Sequence, residues 1–183
     1  MEDTQIVFNM GRQDAQKAHV DLIRAFAGVV EEHPRALLLI AGREGDATQQ
    51  IRQALSETGI GDSVQFLGHR TDIADLLAAA DVFVYPSRYE GLGGALIEAM
   101  AVGVPIIGSD APAISEVLGH GRYGVIVERG DVAALGRAIV ELLSDDEHRL
   151  SLRELGRMRF MERYELSLVI DQTFDLYRQT LGR

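Results

Sequence analysis

The stretch YPSRYEGLGGALIEAMA, residues 85–101, decides how the rest of this chain is interpreted. It overlaps a short apolar run, residues 82–85, whose length and composition indicate a buried β-strand, and Pro86 ends that strand. Three glycines between residues 91 and 94 permit an unusual backbone path, and a helix-forming segment begins at Ala95. The stretch therefore predicts a strand, a glycine-rich loop and a helix.

Two carboxylates flank this loop. Glu90 lies on the loop, and Glu98 lies near the first turns of the helix, where a carboxylate suits the positive end of the helix dipole. Both are expected to face one opening, although either carboxylate alone would ordinarily be a solvated surface group. The backbone N–H groups of Gly91, Gly93 and Gly94 would point into the same space, where they suit a phosphate or the hydroxyls of a sugar.

Composition limits the kind of protein. A chain of 183 residues with 46% hydrophobic content fits one domain with a real core. It has no cysteine, which excludes a disulfide framework and fits the cytoplasm, and no apolar run approaches the roughly 18 residues of a transmembrane segment. A soluble, cytoplasmic protein is expected. The net charge of −10 disfavours nucleic acid as a partner, so an anionic ligand would need a few local cations and backbone amides.

The chain alternates between apolar segments and helical periodicity. Five further segments of strand length lie at residues 6–10, 36–41, 64–67, 104–108 and 125–127. This alternation, with short connections, predicts an α/β fold, a Rossmann-like three-layer sandwich with a parallel sheet of about six strands. Two further helices, within residues 147–181, complete a single domain over residues 1–183.

Details of four helices follow from their capping and periodicity. Thr71 is predicted as the N-cap of a helix over residues 72–80, Asp131 starts another, and residues 115–118 form a short one. The last helix carries an apolar stripe, for which burial in the core is the ordinary interpretation and packing against a neighbouring domain the alternative. Its members are Ile170, Phe174, Tyr177 and Leu181.

Two cations follow the first strand. Arg12 lies at its carboxyl end and Lys17 at the start of the next helix, an arrangement that suits a diphosphate. In an open parallel sheet ligands bind outside the carboxyl ends of the strands, so five connections are expected to line the rim of one crevice. They are residues 11–12, 42–43, 68–70, 87–94 and 109–110. Amide donors, cations and two carboxylates together would fit a nucleotide sugar.

The spacing Glu-Gly-x-Gly-(x)4-Glu-Ala-Met-Ala-x-Gly-x-Pro, from Glu90 to Pro105, resembles the nucleotide-sugar signature of family 4 retaining glycosyltransferases (group 1), which have the GT-B fold. The spacing Gly-Arg-(x)4-Lys, residues 11–17, resembles the segment with which these enzymes hold the donor's diphosphate. The resemblance covers residues 6–181 and corresponds to the C-terminal, donor-binding domain.

The resemblance implies a role for each matching residue. Glu90 would be the catalytic residue that contacts the transferred sugar, and Glu98 would accept hydrogen bonds from the ribose of a UDP- or GDP-sugar. Arg12 and Lys17 would hold the diphosphate. The other donor-binding residues implied are a base-site candidate and the loop backbone: Arg70, Gly91, Gly93, Gly94, Ala95 and Leu96.

The resemblance also implies hexosyl transfer with retention of configuration, without a cofactor and without a metal ion, and the sequence has no Asp-x-Asp pair. The partner would be an N-terminal glycosyltransferase domain, which is missing here and supplies the acceptor site. The chain is therefore expected to be a piece of a longer enzyme or a free-standing half, with weak or no transfer alone. Peripheral association with the inner membrane is compatible with the full-length enzyme.

Three departures from the family pattern leave the donor's base and sugar open. Ala18 stands where the family usually has glycine, Gly94 where it often has a bulky apolar residue, and Pro112–Ala113 where it often has two glycines.

Two alternative functions remain, a noncatalytic nucleotide-sugar binding module acting through a partner chain and a GT-B-like sugar-nucleotide epimerase half. A glycoside hydrolase would explain the paired carboxylates, but neither the cations nor the glycine-rich loop. The five histidines show no metal-ligand spacing.

Overall fold

The computed structural model describes residues 4–182, so residues 1–3 and 183 of the predicted domain lie outside the described part. Six strands form one sheet, and all neighbouring strands are parallel, which confirms the predicted α/β class. The strands are β1 (Ile6–Met10), β2 (Leu37–Ala41), β3 (Val64–Gly68), β4 (Val82–Tyr85), β5 (Ile106–Ser109) and β6 (Val125–Val127).

The strand order is β3-β2-β1-β4-β5-β6. β1 and β4 are the two central strands. β2 and β3 lie on one side of them, and β5 and β6 lie on the other, so the connections that follow β1 and β4 run in opposite directions. Val7 pairs with Val82 and Phe8 with Phe83, so the two strand ends lie side by side. A crevice at the carboxyl ends is the physical consequence of this reversal in strand order.

Helices cover both faces of the sheet. The helices α1, α2 and α6 pack on one face around Phe26 and Ile139, and α3, α4 and α5 pack on the other around Phe83 and Met100. The helix α7 contacts both α4 and α6. Burial on two faces explains why the strands are continuously apolar. The helices are α1 (His19–Glu32), α2 (Thr48–Thr58), α3 (Ile73–Ala79), α4 (Gly94–Val102), α5 (Pro112–Val117), α6 (Val132–Ser144), α7 (Asp146–Arg163) and α8 (Leu166–Leu181).

Two helix starts differ from the sequence prediction. The N-cap of α3 is Asp72 instead of Thr71, because the first helical bond runs from the Leu76 N–H to the Asp72 carbonyl, at 3.2 Å. The helix α5 begins at Pro112, earlier than predicted, because proline at the first helical position removes no hydrogen bond. The prediction for Asp131 is confirmed, since its carboxylate accepts from the Ala134 N–H at 2.8 Å.

The interpretation of the last helix as core is wrong. No residue of α8 is buried, and Phe174 and Tyr177 of its apolar stripe are 58% and 59% exposed. Periodicity reveals that a helix has an apolar face, but it carries no information about what covers that face. Within residues 4–182, no helix combines the length and the apolar character that crossing a bilayer requires.

Candidate functional site

A glycine lies at the carboxyl end of each of the three neighbouring strands β1, β2 and β3. Gly11 and Gly42 directly follow β1 and β2, and Gly68 is the last residue of β3. The Gly11 N–H donates to the Ala41 carbonyl at 2.9 Å, and the Gly42 N–H donates to the Gly68 carbonyl at 2.8 Å. The backbones approach so closely that a Cβ at position 42 would lie 1.9 Å from the Gly11 carbonyl oxygen. A side chain is therefore excluded at position 42, on the edge that forms the floor of an open crevice.

The crevice has a volume of about 420 Å³. Three of the predicted connections, residues 11–12, 42–43 and 68–70, contribute to its lining. The lining residues include Arg12, Lys17, Arg43, His69, Arg70, Tyr85 and Ala95. The connections after β4 and β5, residues 87–94 and 109–110, are not part of the lining, which corrects the prediction. The loop after β4 reaches the crevice only through the contact of Glu90 with Lys17. Asp110 is paired with Arg129 at 2.8 Å, and the Ser109 hydroxyl donates to the Ser87 carbonyl at 2.5 Å. The connection after β5 thus supports the loop after β4 and does not reach the crevice itself, because β5 lies one strand beyond the point where the strand order reverses.

The loops after β1 and β4 are fastened together. The Arg88 N–H donates to the Gln16 carbonyl at 2.8 Å, and the Gln16 side-chain amide donates to the Tyr89 carbonyl at 2.7 Å. These bonds hold the short 3-10 turn Ala15–Lys17, which precedes α1, against the loop that carries Glu90. As a result the Lys17 Nζ lies 2.6 Å from Glu90 Oε1.

Lys17 and Glu90 form a largely buried ion pair, with side chains 19% and 10% exposed. The Lys17 Nζ also donates to the Tyr85 hydroxyl at 3.1 Å. Burial lowers the pKa of Lys17, but its hydrogen bonds with Glu90 and Tyr85 outweigh burial, so the pKa lies above the ordinary value and the ammonium stays charged. Glu90 is thus not a solvated loop residue. Lys17 is also the only lysine in the sequence.

Arg12 and Arg70 are each held by a neighbouring carboxylate. The Arg12 Nε lies 2.9 Å from the Asp14 carboxylate, and Arg70 pairs with Asp72. Hydrogen bonding to Arg12 lowers the pKa of Asp14, and hydrogen bonding to Arg70 lowers that of Asp72. Both guanidiniums stand at the crevice wall in a defined position, and Arg12 uses only its Nε in this pairing.

The loop before α4 presents free amides. Among the described residues, the N–H groups of residues 91–95 have no acceptor, whereas the Leu96 N–H donates to the Gly93 carbonyl at 2.8 Å. Gly93 adopts a left-handed conformation, with φ of 74°, which turns the chain into the helix. The Leu96 side chain is fully buried in the core, so the donors at this edge come from residues 91–95.

Glu98 is not bonded to the Lys17–Glu90 pair. It is exposed on α4, it is not among the residues that line the crevice, and it makes no hydrogen bond or ion pair with another described residue. A carboxylate in this position is free to accept hydrogen bonds from a ligand. The structure therefore brings Arg12 and Lys17 to the crevice, places Glu90 in contact with Lys17, and leaves Glu98 unpaired on α4.

Comparison with known proteins decides the family. A family model described as Glycosyl transferases group 1 matches residues 1–159. The chain belongs to the glycosyl transferases group 1 family. Its domain has the architecture of one Rossmann-like half of the GT-B fold, as the resemblance implied.

Relatives in this family are matched along nearly the whole chain. N-acetyl-alpha-D-glucosaminyl L-malate synthase of Bacillus anthracis is 32% identical over 180 residues, which are 98% of this chain and 47% of that protein. Phosphatidyl-myo-inositol mannosyltransferase of Mycobacterium leprae is 37% identical over 175 residues, 93% of this chain and 46% of that protein. The solved structure of sucrose-phosphate synthase from Thermosynechococcus elongatus matches with a TM-score of 0.89 at 30% identity, over 100% of this chain and 47% of that one. The chain spans about half the length of each.

Ala18, one of the departures from the group 1 pattern, does not disrupt the turn that leads into α1. Ala18, where the family usually has glycine, adopts the left-handed conformation with φ of 55° and ψ of 33°. Its N–H and carbonyl join the 3-10 turn to the first turn of α1, at 3.3 Å and 3.1 Å. An alanine in this conformation costs about 1 kcal/mol relative to glycine, and the surrounding bonds offset that cost.

Sequence reasoning did not assign Tyr85 and Gln16 to the site of this group 1 domain. Tyr85 lines the crevice and contacts Lys17, and Gln16 fastens the two loops together. The position of Tyr85, at the carboxyl end of a predicted strand directly before the signature loop, is a signal that could have identified it. No local pattern identifies Gln16, because its partner is in another part of the sequence.

Next to Lys17, the buried side chain of His19 makes stability dependent on pH. It is 1% exposed, and neither ring nitrogen has a hydrogen-bond partner among the described residues. Burial lowers the pKa of His19 to about 4, and the charge of Lys17 lowers it while that of Asp14 raises it. The unfolded chain therefore takes up a proton at this residue at higher pH than the folded one does.

We expect the free energy of unfolding to fall as pH decreases from about 6.5 to about 4, with His19 contributing up to about 3 kcal/mol of that loss. Urea unfolding of the wild type and His19→Gln at pH about 7.5 and about 4.5 measures the contribution, because other titrating groups are shared. The variant should lose less stability than the wild type. An identical loss in both proteins would contradict the assignment.

Proposed function

We propose that this chain is the donor-binding half of a retaining glycosyltransferase that transfers a hexosyl group from a UDP- or GDP-sugar to an acceptor. The observation that carries the proposal is the position of the Lys17–Glu90 pair, at 2.6 Å, on the loops at the reversal of strand order. A cation and free amides suit a diphosphate, and a carboxylate suits sugar hydroxyls. The names of the relatives, a glucosaminyl malate synthase and a mannosyltransferase, support this reaction class.

In the proposed complex, Arg12, Lys17 and the amides of residues 91–95 hold the diphosphate. The exposed carboxylate of Glu98 accepts hydrogen bonds from the ribose, and Arg70 stands on the side of the base. These assignments use Arg12, Lys17, Arg70 and the loop amides for the same ligand. They follow the order in which a nucleotide, its phosphates and its sugar would cross the crevice.

The proposed chemistry relies on charge stabilisation. The bond between the anomeric carbon and the diphosphate breaks, and its electron pair leaves with the nucleoside diphosphate, whose growing charge Arg12 and Lys17 stabilise. Glu90 uses Oε1 for Lys17, which leaves Oε2 to accept from a sugar hydroxyl and to favour positive charge on the ring. The acceptor oxygen then bonds to the anomeric carbon with retention of configuration, and its hydroxyl proton passes to the departing diphosphate. We further propose that this transfer needs no metal ion, because the two cations and the amides neutralise the diphosphate.

We also propose that an N-terminal domain completes the enzyme and supplies the acceptor site. Two observations support this: the chain spans about half the length of its relatives, and the apolar face of α8 is uncovered in the described part of the chain. Transfer by this chain alone is therefore expected to be weak or absent. Robust turnover by the purified chain would contradict the need for a second domain.

Calorimetric titration with UDP and with GDP, in the presence of EDTA, tests the donor site. Glu98→Ala and Arg12→Ala are each expected to weaken binding about tenfold, because each removes a charged hydrogen-bonding group from the ligand. Glu154→Ala is the matched control, since it removes an exposed carboxylate from α7, and its affinity should equal that of the wild type. Equal heats for the wild type, Glu98→Ala and Arg12→Ala would remove the proposed site.

A further inference from the structure

Tyr85 is held rigidly at the crevice wall. It is the last residue of β4 and only 4% of it is exposed. Its ring stacks on Phe83 with centroids 5.8 Å apart, and Phe83 in turn contacts Phe8 at 5.9 Å. Because the ring is fixed by packing on the sheet, the position of its hydroxyl is fixed as well.

The Tyr85 hydroxyl and the Glu90 carboxylate share one ammonium group. The Lys17 Nζ lies 3.1 Å from the Tyr85 hydroxyl oxygen and 2.6 Å from Glu90 Oε1. It also lies 5.2 Å from the centroid of the Tyr85 ring, within the range of a cation–π contact. An ammonium has three N–H donors, so these two acceptors leave one donor for a ligand.

The phenol differs from the carboxylate in one respect that matters for an anionic ligand. Burial raises the pKa of Tyr85 and Lys17 lowers it, and the net effect is a value above the ordinary one, so the phenol is neutral. A neutral acceptor anchors the ammonium without cancelling its charge. A second carboxylate in the same place would cancel that charge and repel a phosphate.

We infer that Tyr85 is a positioning residue, which holds the Lys17 ammonium so that its remaining N–H donor meets the diphosphate of the donor sugar. This inference rests on the proposed function. A lysine side chain has many rotamers, and ordering it before the ligand arrives removes an entropic cost from binding. The choice of residue fits this role, since the chain has a single lysine among 18 basic residues and places it between these two acceptors.

The decisive variant is Tyr85→Phe, which keeps the stacked ring and removes only the hydroxyl. With UDP or GDP, whichever the wild type binds more tightly, affinity should fall about five- to tenfold. Tyr123→Phe is the matched control, because it removes a phenol from a residue whose ring packs with Arg159 away from the crevice, and its affinity should not change. The midpoint of thermal unfolding checks that the variants fold.

A double-mutant cycle separates positioning from a merely structural role. In the background of Lys17→Met, adding Tyr85→Phe should cause no further loss, because Tyr85 acts through Lys17. A second readout needs no ligand. The single lysine gives one side-chain nitrogen signal in NMR, and the pKa that this signal reports should be lower in Tyr85→Phe, because the phenol helps to raise it.

The outcomes are distinct. If the wild type binds neither UDP nor GDP, the proposed function fails and the inference falls with it. If the wild type binds and Tyr85→Phe binds equally well, only the inference is overturned. If the losses from Tyr85→Phe and Lys17→Met are independent, Tyr85 does not act through Lys17, and the positioning role is rejected even though donor binding stands.

Discussion

Lys17→Met is expected to weaken the binding of UDP or GDP about a hundredfold, because it removes a buried charge-assisted hydrogen bond to the diphosphate. The loss has a second cause. Glu90, whose side chain is only 10% exposed, would keep its carboxylate beside the crevice without the cation 2.6 Å away that now neutralises it. The anionic phosphates would then meet an uncompensated negative charge. Isothermal titration calorimetry measures the change directly.

The control for this experiment is Arg178→Met. Arg178 is an exposed cation on α8, paired with Asp175 at 3.0 Å, and its removal changes the net charge of the chain by the same amount. Its affinity for UDP or GDP should stay within about twofold of the wild-type value, because exposed charges outside the crevice are screened. An undiminished affinity in a folded Lys17→Met variant would remove the diphosphate assignment.

Gly42→Ala is expected to lower the free energy of unfolding by about 3–5 kcal/mol, because it forces apart the ends of two neighbouring strands, β1 and β2. The new Cβ would lie 1.9 Å from the Gly11 carbonyl oxygen and 2.6 Å from its carbonyl carbon, both of them backbone atoms. No side-chain rotation relieves such a contact, so β1 and β2 must separate where they form the crevice floor. Urea unfolding, followed by circular dichroism, gives the free energy.

The matched control for Gly42→Ala is Gly28→Ala. Gly28 lies in α1, and a Cβ built there has no neighbour within 4 Å. The same added methyl group should therefore raise stability by about 0.5–1 kcal/mol, the usual gain from replacing glycine inside a helix. Equal effects of the two substitutions would mean that the close approach of Gly42 to Gly11 does not constrain the fold.

Much of the architecture could be predicted because its signals are local. Continuous apolar runs such as residues 82–85 identified the strands, and helical periodicity identified the long helices, including α7 and α8. Helix ends were less accurate, as at Thr71, because capping depends on backbone geometry that residue types only suggest. The burial of α8 was predicted wrongly, since a stripe of apolar residues is the same whether or not anything covers it.

By itself, the sequence determined the α/β class, the parallel sheet and the loop that carries Glu90, because each depends on residues adjacent in the chain. Only the tertiary structure decided that Glu90 meets Lys17, from which it is separated by 73 positions, and that Tyr85 shares that ammonium. The physical reason is the strand order. It places β1 beside β4 and brings the loops that follow them together. No sequence pattern within either segment shows that these two strands are neighbours in the sheet.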